Sequence, residues 1–419
     1  MWRVWWVVVG ALTLVVVEAA KLNEKQTKPR CQDMEGRQRK VCYGNKLLQS
    51  AERQNVKAVE KILKMNETAY YVSFTENTER NRGYTALMYA IDRNTTEVFD
   101  ILLRAGSIVN AVSAKGLTPL YLAVDLGNEY IVDKLLQKGA DPNTVSTTGY
   151  TPLIIAAWNG YPQIVQILLD HKAKPNVYTP HSNYTPLYLA SKAGRLAIVK
   201  SLVAAKADIN SKTSWGVTPL HAATYWGHQN VVEFLLEKGA DPNLQEKDGF
   251  SVLHKAVYYN FPSIVDIFIE KGSRVDSQNK KGHTALIHAA EGGHTVLVDK
   301  LLKAKANPNL QDTSGHTALI HAARGGHVEL VNKLVKAKAN ANLQHRSGKT
   351  ALHWAVLKQE KEVVRSLLKA CADLTIQDNR GRTVKDLAKV VRVKNKDEDL
   401  KKKVEIIKLL ADHNVASCS

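Results

Sequence analysis

From residue 83 onward the apolar residues fall into pairs of short stripes, each pair closed by a polar turn. In "EYIVDKLLQKGADPN" (residues 129–143), Ile131, Val132, Leu135 and Leu136 lie at the spacing of one helical face. "QNVVEFLLEKGADPN" (residues 229–243) repeats the pattern. The closing Gly-Ala-Asp-Pro-Asn ends the helix and starts a turn, because glycine adopts the left-handed conformation there and proline cannot continue the hydrogen-bond ladder. A shorter stripe precedes each of these, so each unit reads as a turn, a short helix, a second helix and a return.

The units recur at a fixed period. The pattern Gly-x-Thr-x-Leu begins at Gly83, Gly116, Gly149, Gly216, Gly249, Gly282, Gly315 and Gly348, with Asn183 replacing the glycine once and Ser251 replacing the threonine once. Every step is 33 residues except one of 34, before Asn183. Five residues after each Thr or Ser stands an alanine, from Ala90 to Ala355, and an altered last copy, "GRTVKDLAK" from Gly381, supplies Ala388. Such a unit is too small to cover its own apolar faces, so neighbours must stack and share one core.

The 33-residue period and "TPLHAA" at Thr218–Ala223 strongly resemble the ankyrin repeat family, over roughly residues 44–412. The resemblance implies an all-α fold with β-turn fingers, an ankyrin-repeat solenoid of about eleven helix-pair units. The chain then divides into a leader over 1–20, a basic segment over 21–43 with Cys31 and Cys42, and an N-terminal capping helix pair over 44–75. Nine repeats follow over 76–380, then a C-terminal capping repeat and tail over 381–419.

The leader reads "MWRVWWVVVGALTLVVVEAA": one Arg, an apolar run from Val4 to Val17, then small residues. That is the layout of a secretory signal peptide cleaved after Ala19 or Ala20, and it is short for a spanning helix. No later segment reaches spanning length, so the expectation is a secreted protein without stable membrane insertion. Glycosylation triplets begin at Asn66, Asn94 and Asn183 and fit that compartment. Pairing Cys31 with Cys42 and Cys371 with Cys418 would close a local loop at each end; other pairings stay open on sequence alone.

Histidines stand at several repeated places. "GHTALIHAAEGGH" from Gly282 and "GHTALIHAARGGH" from Gly315 carry three each. On a helical wheel with Leu286 at the origin, His288 falls at about 200° and Glu291 at about 140°, away from the packed side, and His321 takes the same place in the next repeat. These two are therefore expected to be exposed. With no third histidine at suitable spacing, no metal site is expected. His283 and His316 lie in finger turns, and His228, His294 and His327 follow the glycine between helices. His221, His254 and His353 stand at the family's signature position, where the resemblance implies a structural role. No G-x-S-x-G, H-E-x-x-H, phosphate loop or C-x-x-C is present, and neither catalytic residues nor cofactors are expected.

The same wheel sends the fifth and sixth residues after the repeated Leu outward. In the middle of the array these are aromatic: Trp158, Tyr225, Trp226, Tyr258 and Tyr259. Tyr184, Trp215 and Phe250 stand at finger tips. The resemblance implies that fingers and first helices line one concave face, and these eight residues are the expected partner surface. The alternative is that the rings lie flat on neighbouring repeats and seal them. A glycan on Asn183 would project from the rim of this strip.

The leading functional expectation is a secreted, non-catalytic protein that binds another protein. The net charge of +18, from 58 Lys and Arg against 40 Asp and Glu, raises a second one: a cationic binder of anionic glycans or membrane surfaces. Nucleic acid is not expected, since the leader directs the chain elsewhere. A secreted toxin or effector, and a cytosolic scaffold if the leader is misread, complete the alternatives.

Overall fold

A computed structural model describes residues 30–65, 71, 73–75, 83–391 and 398–413. The leader, Asn66 and Cys418 lie outside the described residues. The described residues are helical throughout, apart from turns and one isolated bridge between Gln245 and Ser251. No helix among them is long and apolar enough to cross a membrane. The chain forms two compact units: residues up to Ala156 together with Asp170–Ala173, and Ala157–Leu169 together with Lys174 onward.

The first unit opens with a 3-10 turn at Cys31–Asp33 and helices Gly36–Glu52 and Val56–Leu63. The first of these begins inside the segment read as a basic lead-in. The Cys31–Cys42 disulfide ties that lead-in onto the helix, with Cys31 buried. The pairs Ala86–Asp92 with Thr96–Arg104 and Pro119–Asp125 with Glu129–Gln137 follow.

The second unit holds seven pairs: Pro186–Lys192 with Leu196–Ala204, Pro219–Tyr225 with Gln229–Glu237, and Val252–Tyr258 with Pro262–Glu270. Then come Ala285–Glu291 with Thr295–Lys303, Ala318–Arg324 with Val328–Lys336, Ala351–Lys358 with Lys361–Lys369, and Val384–Val390 with Glu398–Asp412. Within it, first helices pack on first helices of adjacent repeats. The repeated Leu and Ala make the seam: Leu220, Ala223, Leu253, Ala256, Leu286, Ala289, Leu319 and Ala322 are all essentially inaccessible. Each such leucine contributes about 1.5–3 kcal/mol by leaving water.

The pattern Thr-Pro-Leu or Thr-Ala-Leu starts most first helices for a local reason. The threonine hydroxyl accepts the backbone N–H three residues on, as Thr218 does from His221, Thr284 from Ile287 and Thr317 from Ile320. Proline after it, as at Pro219, loses nothing because its N–H would lack a helical partner.

Three ladders run at the repeat period and lock neighbours together. Between fingers, Lys247 N–H donates to Trp215 O (2.9 Å), Lys280 to Asp248 O (3.0 Å), Thr313 to Lys281 O (2.9 Å) and Arg346 to Ser314 O (2.9 Å). Gln245, Gln278, Gln311 and Gln344 each donate to their own finger glycine carbonyl and to the carbonyl 33 residues on. In the closing turns, Asn210 Oδ1 accepts from Asp241 N, Asn243 from Arg274 N and Asn309 from Asn340 N.

The finger glycine is required twice over. Gly282 sits at φ +73°, and a Cβ there would lie 2.7 Å from the backbone N of Thr313 in the next finger. Asn183 occupies the equivalent place at φ +53°, which asparagine tolerates better than other side chains. Its side chain and that of Asn94 belong to exposed residues.

Candidate binding surface and histidine cluster

The aromatic positions divide into two groups, all within the second unit. Tyr184, Tyr225 and Phe250 are half-buried and pack against other groups. Tyr184 stacks on Tyr188 (centroids 4.5 Å apart) and leans on Trp215 (6.1 Å). Tyr225 meets the edge of Tyr259 (5.8 Å), and Lys255 Nζ lies 4.0 Å from the Phe250 centroid and 4.9 Å from that of Tyr225. These rings seal the array. Trp158, Trp215, Trp226, Tyr258 and Tyr259 present large areas outward, with Trp226 62% and Tyr258 61% exposed. Arg195 supports the first of them from below, donating to the carbonyls of Ala157 and Trp158. Ring-to-repeat packing and outward exposure thus occur at different positions.

The histidines at the signature position are framework. His221 Nδ1 lies 2.9 Å from Thr218 Oγ1, His254 Nδ1 2.8 Å from Ser251 Oγ and His353 Nδ1 2.8 Å from Thr350 Oγ1, each closing a capping box. The far ring nitrogens of His221 and His254 reach the next finger at Phe250 O (3.3 Å) and His283 O (2.9 Å). Burial pushes both imidazoles down to about 4, so they are neutral at pH 7. His228 and His327 pack over Gly194 and Gly293 of the preceding repeat, another framework place.

His288 and His321 are not exposed, contrary to the wheel. They are 9% and 8% accessible. The wheel treats the helix as isolated, whereas the fingers fold down over this side of it. His288 lies under Phe250 (5.6 Å), against His283 (4.8 Å) and beside Tyr258 (6.1 Å). Burial lowers its proton affinity to about 3, and burial lowers that of His321 as well.

The expectation that no third histidine approaches is also corrected. His283 comes in from its finger turn. One ligand atom each from His283, Asp312 and His321 lie within 4.8 Å of one another, and His283, His288 and Glu291 form a second such group. The repeat frame explains why. At four successive junctions it aligns a finger residue, a turn residue 29 positions later, and the fourth residue of the following first helix. One junction holds Val217, Glu246 and Lys255, where Lys255 Nζ pairs with Glu246 at 3.4 Å. The next holds Phe250, Asn279 and His288, with Asn279 Nδ2 3.4 Å from His288 Nε2. Then come His283, Asp312 and His321, followed by His316, His345 and Trp354, whose first two rings lie 4.1 Å apart.

Asp312 is held in place by its own turn. Its Oδ1 accepts from Ser314 N and His316 N, both at 2.8 Å. Its Oδ2 then faces the histidines: 3.3 Å from His283 Nε2, 3.3 Å from His316 Nδ1 and 3.7 Å from His321 Nε2. Burial opposes its charge, but the two backbone donors and the neighbouring imidazoles outweigh it, and Asp312 titrates below the ordinary carboxylate value.

Trp354 escaped the sequence reading because it is neither at a finger tip nor at a helix end. It is half-buried, with the Arg324 guanidinium 5.4 Å and Lys349 Nζ 5.8 Å from its ring centroid.

A family model described as ankyrin repeats, in three copies, matches residues 47–146, 153–246, 239–312 and 293–378. No curated protein matches the chain.

Proposed function

Because the chain belongs to the ankyrin repeat family, whose arrays typically bind other proteins, we propose that it is a secreted, non-catalytic protein that grips another protein. The grip is the concave face expected of first helices and fingers, with Trp158, Trp215, Trp226, Tyr258 and Tyr259 as its anchors. One observation carries this reading: five large aromatic side chains stand exposed on successive repeats of one unit, where the repeats' own packing leaves them uncovered. Rings in such positions bury large area at small entropic cost when a partner covers them. The apolar leader and the Cys31–Cys42 disulfide support secretion.

The test is capture from the native fluid with tagged, crosslinkable protein, followed by affinity measurement on the partner identified. Replacing Trp226 and Tyr258 together by alanine should weaken binding by roughly 2 kcal/mol or more. Unchanged affinity rejects this face.

A cavity of about 520 Å³ in the first unit favours anionic glycans as a second class of partner. Arg30, Lys46, Arg53 and Lys61 line it, and its described lining holds no carboxylate. On this reading Lys46→Glu with Arg53→Glu elutes from heparin at markedly lower salt than another variant of equal net charge, altered elsewhere. Equal elution of the two removes the cavity from consideration.

A further inference from the structure

The junction between the repeats that begin at Gly282 and Gly315 differs chemically from its neighbours. The adjacent junctions hold Phe250, Asn279 and His288 on one side and His316, His345 and Trp354 on the other, imidazoles without a carboxylate, whereas here two imidazoles meet a carboxylate. Ligand atoms about 2.0–2.1 Å from a tetrahedral zinc ion stand roughly 3.3 Å from one another. His283 Nε2 to Asp312 Oδ2 is 3.3 Å, and His321 Nε2 to the same oxygen is 3.7 Å. At that length the second is beyond hydrogen-bonding reach, and His321 Nε2 has no hydrogen-bond partner among the described residues although His321 is more than nine-tenths buried. This buried ring nitrogen is thus left over, facing a carboxylate oxygen.

We propose that His283, Asp312 and His321 bind a divalent first-row transition metal ion, zinc(II) in particular, at this junction. Two imidazole nitrogens with one carboxylate oxygen suit zinc and its neighbours; calcium and magnesium prefer all-oxygen shells. The two backbone N–H groups on Asp312 Oδ1 supply the outer support that fixes a ligating carboxylate, and His316 Nδ1 reaches the same side chain. A metal here joins side chains of two successive repeats, so it clamps a junction. With three protein ligands, a further coordination position falls to water or to a partner's side chain.

The test uses the full-length chain, freed of metal by chelation and titrated with cobalt(II), then zinc(II). One equivalent of cobalt should give the visible d–d absorption of a tetrahedral site, and zinc should displace it. Asp312→Asn and His321→Asn should each weaken zinc binding at least 100-fold, whereas His181→Ala, at an exposed finger remote from the cluster, should leave it unchanged. Absence of a stoichiometric cobalt band in the unaltered chain overturns the proposal, whatever the variants do. It is equally overturned if folded Asp312→Asn and His321→Asn bind as tightly as the parent. It is overturned too if Glu291→Gln abolishes binding and Asp312→Asn does not, because the ion would then sit among His283, His288 and Glu291.

Discussion

The repeats beginning at Gly216 and Gly249 and those beginning at Gly282 and Gly315 share one backbone design and differ in where their chemistry lies. In the first pair the large side chains stand at the ends of the first helices, at Tyr225, Trp226, Tyr258 and Tyr259, and much of the surface of the last three meets solvent. In the second pair those places hold Glu291-Gly292 and Arg324-Gly325, and the distinctive groups have moved one turn back and inward, to His288 and His321. Seam and ladders are the same in both, while the caps differ: His221 and His254 close capping boxes where Ile287 and Ile320 stand in the second pair. The frame therefore assigns positions, and the side chain placed there decides between a surface that waits for a partner and an enclosed polar cluster.

The comparison predicts equal costs where the frame is shared. Leu253→Ala and Leu286→Ala should each destabilise the chain by about 2–5 kcal/mol in denaturant unfolding. A loss below 1 kcal/mol at one of them would show that the two pairs are not packed alike.

Acid should act through the buried capping histidines. His221 binds its proton near 4 in the folded chain, against 6.5 ordinarily. Below pH 6.5 the unfolded chain takes up a proton that the native chain refuses. Stability is therefore complete above the unfolded value, falls as pH drops from about 6.5 to about 4, and levels off below that. The loss is on the order of 3 kcal/mol for this residue. In unfolding titrations at stepwise pH, His221→Gln should lose less than the parent over this window; a parallel pair of curves would contradict the assignment.

The exposed rings give a smaller effect on folding than on binding. Trp226→Ala with Tyr258→Ala, expected to weaken partner capture by roughly 2 kcal/mol, should change unfolding free energy by less than about 1 kcal/mol. A greater loss of stability would reassign these rings to sealing, beside Tyr184, Tyr225 and Phe250. Among the helix caps, Thr284→Ala should cost about 1 kcal/mol, and Thr218→Ala more than that, because the Thr218 hydroxyl also meets His221 Nδ1 at 2.9 Å.

The period and the places of the repeat helices were legible in the sequence, because a packed repeat stamps its Leu and Ala at fixed intervals, whereas the helix from Gly36 begins within the stretch read as a basic lead-in. The outward course of Trp226 and Tyr258 was legible too, since helix ends lie beyond the cover of the fingers. The burial of His288 and His321 was not. A wheel shows what a helix packs behind itself, but what descends over its front depends on the fold of the turns. The pairing of Lys255 with Glu246 and the burial of His288 share that cause: both residues face a finger rather than solvent. The ladder through Gln245, Gln278, Gln311 and Gln344 had a signal that went unread, namely recurrence of one polar residue at the repeat period.

That glutamine ladder bears on how such a molecule changes length over generations. Each amide reaches only its own turn and the one after it, so every coupling has the same form. A duplication or loss of one whole 33-residue cassette re-creates the coupling at the splice with no new type of contact, while a slip of a single residue within a turn breaks it on both sides. The near-identity of "GHTALIHAAEGGH" and "GHTALIHAARGGH" is what recent copying under that rule would leave behind.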